Sequence, residues 1–134
     1  MKGFQYLLIV LLALAISSCG GGGPTTTIDV TLSEFSFTPN TFTVPAGQEI
    51  SINAQNNGAV VHNFIVMNLD TSVGEEFNSE DEANIYWQLE IQPGQDSTTT
   101  FTAPSEPGDF QIVCSTPGHY VAGMIGTLTV VAGE

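Results

Sequence analysis

From residue 27 to the end of the chain, apolar side chains recur at every second position. They do so in short runs separated by turn-forming residues. "TIDVTLSEFSF", residues 27 to 37, offers Ile28, Val30, Leu32, Phe35 and Phe37 to a buried side, with one slip in period between Leu32 and Phe35. Such a slip marks a bulge or a bend. "TFTV" and "EISINAQN" alternate on either side of "PAGQ", and "AVVHNFIVMN" is a longer, more apolar strand. "IYWQLEI", "TTTFTA", "FQIVC" and "IGTLTVVA" follow, divided by "QPGQDS", "PSEPGD" and one long loop. Period-two patterning broken by Gly, Pro and Asp specifies strands, and about eight of them at this spacing specify an all-β sandwich or barrel. Residues 69 to 84 lack the pattern and read as an acidic surface excursion with a short helical turn near 79 to 84.

Lys2 is the single base against 14 acids, so the formal net charge is −13. No Lys or Arg follows it, which removes internal Lys or Arg salt bridges and argues against nucleic acid, whose phosphates demand cations. A partner with a basic docking surface is the natural complement.

Lys2 precedes the apolar run "LLIVLLALAI", residues 7 to 16, which is too short for a membrane span and reads as a secretory signal. "Ile16-Ser17-Ser18-Cys19" resembles a bacterial lipobox, whose cysteine becomes the lipidated first residue of the mature protein. "GGGGP" then forms a flexible tether. The expected organisation is a lipoprotein signal over 1–18, a lipidated Cys19 and tether over 19–26, and one folded domain over 27–134. The expected location is the cell envelope, on the extracytoplasmic face of a membrane reached through the lipid anchor.

Lipidation of Cys19 leaves Cys114 without a disulfide partner, and a leftover thiol in an exported protein calls for a role. "CSTPGHYVAGM" places Cys114, His119 and Met124 at steps of five, in a chain with only 2 Cys, 2 His and 3 Met. Phe110, Ile112 and Cys114 share a strand face, so the sulfur leaves its strand pointing inward. The other histidine, His62, shares an apolar face with Phe64 and Val66, and completes a four-donor set. Zinc sites rarely use Met. Two imidazoles, a thiolate and an axial thioether are the donors of a mononuclear type 1 copper site, which carries one electron between Cu(I) and Cu(II).

With these residues in place, the chain resembles the cupredoxins, the small blue copper proteins, over residues 27 to 132. "CSTPGH" is similar to the azurin ligand loop. The five-residue step from His119 to Met124 and the lipid-anchored, glycine-rich start are similar to the auracyanins, membrane-associated cupredoxins of filamentous anoxygenic phototrophs. Azurins have one residue fewer between the second His and the Met, a glycine where Val61 stands, and a disulfide. The resemblance implies a Greek-key fold and copper held by His62, Cys114, His119 and Met124. It implies a tie from Asn63 to Ser115 that steadies the thiolate. It also makes His119 the electron port, inside an apolar patch of Pro117, Gly118, Val121 and Ala122. Trp87, which alternates with Ile85 and Leu89, is expected in the core.

The expected function is a monomeric, tethered one-electron carrier, not an enzyme. Its redox partners would be a membrane oxidoreductase and a cytochrome or photosynthetic reaction centre. A copper chaperone or storage protein is the alternative, disfavoured by the low Met content. Multicopper enzymes need more His than the two present, and a binuclear copper centre needs a second Cys in the loop.

Overall fold

The computed structural model describes residues 22–133. The expected signal over 1–18 and Cys19 lie outside the described residues. Nine strands form: β1 (Thr27–Ser33), β2 (Ser36–Thr38), β3 (Thr41–Pro45), β4 (Glu49–Asn56), β5 (His62–Met67), β6 (Ile85–Ile91), β7 (Asp96–Thr102), β8 (Gly108–Val113) and β9 (Ile125–Val131). One sheet has the order β2-β1-β4-β7 and the other β3-β9-β8-β5-β6. They pack face to face, as the alternation requires: most strands bury one side and turn the other outward.

The expected count of about eight becomes nine because the slip between Leu32 and Phe35 is a reversal and not a bulge. Leu32 pairs with Phe37 and Ser33 with Ser36, so Glu34 and Phe35 are the two residues of a hairpin turn. Phe35 therefore leaves the core, and 49% of it is exposed. The pairing is also less uniformly antiparallel than the short turns imply. After β2 the chain crosses to the second sheet to form β3. It then returns, so that β4 runs parallel to β1 and β3 runs parallel to β9.

Between the sheets, Ile28, Leu32, Ile50, Ile52, Phe64, Ile112 and Leu128 are essentially solvent-free. Phe37 and Phe42 meet the Phe64 ring edge-on at centroid distances of 5.5 and 5.8 Å, a favoured aromatic geometry. Trp87 stacks on Phe101 at 4.6 Å and packs against this core, as expected. β5 is buried on both sides. Its outer residues Ile65 and Met67 join Val113 and Val73, with Phe77, Ile85 and Tyr120 against them. The aperiodic excursion is thus more than a surface loop, because Val73 and Phe77 roof the outer face of β5. Its helical turn is a single 3₁₀ turn, Asp81–Asn84. Asp81 is buried, with its carboxylate accepting the Asn78 N–H at 2.9 Å.

Candidate metal centre

Four side chains converge at one end of the sandwich because strands end there. His62 opens β5, and Cys114 follows β8 directly. β5 and β8 are direct neighbours in the sheet, and the paired residues Ile65–Val113 and Val66–Ile112 hold His62 and Cys114 at a fixed separation. Asn56, wholly buried at the end of β4, organises the approach to His62. Its amide donates to the Val60 and Ile91 carbonyls at 2.9 Å each and accepts the Gly58 N–H at 2.8 Å. The ligand loop closes on itself: the Met124 N–H donates to the His119 carbonyl at 3.0 Å, and the Cys114 N–H to the Met124 carbonyl at 3.4 Å. This closure needs the chain to turn sharply before Met124, at Gly123, where φ is 102°. That conformation suits glycine.

Cys114 Sγ lies 3.9 Å from His62 Nδ1 and 3.8 Å from His119 Nδ1. The two imidazole centroids are 4.9 Å apart, with the rings inclined at 47°. These separations fit donors that each stand about 2.0–2.3 Å from one shared ion. Cys114, His62 and Met124 are fully buried and His119 is 7% exposed. Burial, with the neighbouring His119 as a lesser cause and Glu34 opposing, lowers the pKa of His62 below its ordinary value. His62 is therefore neutral at physiological pH, and a ligating imidazole must be neutral. The residues fit the ion: soft sulfur donors and imidazole nitrogens in a buried set, which suits copper in both oxidation states. His62, Cys114, His119 and Met124 form a cupredoxin-like site.

The surroundings restrain the thiol. The Asn63 N–H points at Cys114 Sγ from 3.4 Å, and Ser115 Oγ donates to Asn63 Oδ1 at 3.4 Å, so the expected tie between β5 and the ligand loop is present. Thr116 adds another, its hydroxyl donating to the Val61 carbonyl at 2.7 Å. Tyr120 is not part of the exposed patch. Its hydroxyl donates to the Val73 carbonyl at 2.8 Å and pins the loop to the excursion.

Around His119, the side chains of Pro117, Val121 and Ala122 are exposed, as is Gly118, with Val121 at 65%. Two neighbours were not anticipated from the sequence. Phe35 stands edge-on to the His119 ring at 5.2 Å. Glu34, the other residue of the hairpin turn, accepts the Ala59 N–H beside His62. The only signal for either was the break in alternation after Leu32.

Residues 24–131 match the copper binding proteins of the plastocyanin/azurin family. Auracyanin-A of Chloroflexus aurantiacus is 30% identical, over 84% of this chain and 87% of its own length. Auracyanin-B of the same organism is 29% identical over 80% of this chain, which spans only 53% of that relative's length. The crystal structure of dithionite-reduced auracyanin from the photosynthetic bacterium Roseiflexus castenholzii superposes with a TM-score of 0.68 at 30% identity. It covers 81% of this chain and 99% of its own.

Proposed function

We propose, from the premise that this chain belongs to the plastocyanin/azurin family of copper-binding proteins, that it is a lipid-tethered electron carrier working outside a cytoplasmic membrane. A cupredoxin of this kind, similar to the auracyanins, carries one electron. The observation that carries the reading is the closed donor set, with both Nδ1 atoms facing one buried thiol at 3.8 and 3.9 Å. Bound copper would supply the one-electron change between Cu(II) and Cu(I).

The protein's own part is to hold the donors still. His62 and Cys114 sit at the ends of paired strands, and the Asn63, Ser115 and Thr116 hydrogen bonds lock the loop to β5. Little rearrangement is then needed when the charge at the centre changes. His119 is the ligand with partial exposure, set among exposed apolar residues that can press against a partner without water between. An electron leaving through His119 crosses one imidazole. Four buried donors facing inward leave no ligand position for a substrate, so catalysis is not part of this reading.

The lipobox-like "ISSC" supports the tether, with Cys19 as the acylated residue. The partners of this reading are a membrane oxidoreductase as donor and a cytochrome or photosynthetic reaction centre as acceptor. Glu75, Glu76, Glu80 and Glu82, exposed along the excursion, support a basic docking surface on one of them. The test is a reductive titration of the copper-loaded protein. One electron per copper, with full reoxidation and the metal retained, is expected. Release of Cu(I) on reduction would instead identify a chaperone or store.

A further inference from the structure

His62 Nε2 is the one buried side-chain nitrogen or oxygen without a hydrogen-bond partner among the described residues. It lies on the ring edge opposite Nδ1, the atom that faces the thiol. In a neutral imidazole one nitrogen carries the proton and the other the lone pair. If Nδ1 gives its lone pair to copper, Nε2 is a donor and needs an acceptor. Ligating histidines regularly find one in a carboxylate, a carbonyl or water, and that partner sets ring orientation and basicity.

Gly58 shows where the acceptor is. A Cβ added at Gly58 would collide with His62 Nε2, and would lie 2.8 Å from a carboxylate oxygen of Glu34. The missing side chain is thus the gap between the imidazole edge and the carboxylate. Glu34 is held in place twice: by the two-residue turn between β1 and β2, and by the Ala59 N–H that its Oε1 accepts. The Ala59 bond, with a smaller contribution from the nearby histidines, lowers its pKa, so the carboxylate is charged.

We infer that Glu34 is a positioning residue for the copper ligand His62. Its carboxylate accepts the Nε2 proton across Gly58 through one bridging water, fixes the tautomer that offers Nδ1 to the metal, and favours the more highly charged Cu(II). The inference rests on the copper reading above and adds to it the group that sets the potential.

Glu34→Gln removes the charge and keeps an oxygen for the Ala59 N–H, so the turn survives. Removing an outer partner of a ligating histidine typically weakens metal binding tenfold or more. Glu34→Gln is expected to weaken Cu(II) binding about tenfold relative to Cu(I), a rise in potential of about 59 mV for one electron. Glu49→Gln, at the start of β4 and so at its far end from Asn56 and Gly58, controls for loss of a surface charge and should shift the potential clearly less. In the copper-free protein, the His62 ring ¹⁵N resonances should report the Nε2–H tautomer and move in Glu34→Gln. Unmoved resonances, or equal shifts of potential in Glu34→Gln and Glu49→Gln, overturn the inference. A parent protein that takes up no copper overturns the functional reading instead, and the ¹⁵N comparison still decides whether Glu34 holds the ring.

Discussion

Cys114 Sγ receives the Asn63 N–H at 3.4 Å, and the side chain of Asn63 reaches on to Ser115. The backbone bond disperses charge on a thiolate, while the side-chain bond only holds the loop against β5. Asn63→Ala deletes the second and spares the first. Copper should be retained but bound about tenfold or more weakly, the usual loss for such an outer partner, measured by competition with a Cu(I) chelator. Unchanged affinity would remove the tie from the account. Asn63 and Ser115 could be named in advance because the resemblance to the cupredoxins implies a tie at those positions, next to two ligands. Phe35 could not be placed. Its alternation with Phe37 mimics a buried strand position, yet it sits at φ 65° in a turn that has neither Gly nor Asn. Turn chemistry normally announces such a conformation, and "Glu-Phe" does not. Glu34 escaped notice for the same reason, since its proximity to His62 comes from a loop more than twenty residues later.

At the scale of the strands, period-two alternation and one apolar run mark every strand of the two sheets except the β1–β2 reversal. What alternation cannot report is pairing between distant strands. The parallel β1–β4 and β3–β9 ladders depend on the crossover before β3, which leaves no mark in period. One residue exposes how tightly that crossover packs. A Cβ at Gly126, in β9, would stand 2.6 Å from the Asn40 carbonyl oxygen, and the neighbouring Thr127 N–H donates to that same oxygen at 2.9 Å. Gly126→Ala should therefore cost about 1–3 kcal/mol, as forced overpacking does, seen as a lower denaturant midpoint of the copper-free protein. Phe64→Ala, which strips two edge-on aromatic partners from the centre of the core, should cost about 3–5 kcal/mol. Both act through packing, so a midpoint unchanged in Phe64→Ala would mean that the sandwich core is not centred on β5.

The whole molecule is an anion with no Lys or Arg beyond residue 2. Its encounter with a basic redox partner should be accelerated by that charge and screened by salt over a Debye length of about 8–10 Å at physiological strength. The bimolecular electron-transfer rate should fall as ionic strength rises, and stopped-flow mixing with a cationic cytochrome measures it. A rate independent of salt would assign the acids to solubility. Tethering is a separate question at the same scale: Cys19→Ala should move the protein from the membrane to the soluble fraction of the envelope, and retention in the membrane would refute lipid anchoring through Cys19.

Whether His62, Cys114, His119 and Met124 hold one copper ion through a thiolate bond is decided by a visible absorption spectrum of the Cu(II)-loaded protein beside that of Cys114→Ser. An intense thiolate-to-copper charge-transfer band in the parent, absent from Cys114→Ser, is expected. A parent that binds Cu(II) without that band, or a variant that keeps it, would show that Cys114 is not a copper ligand.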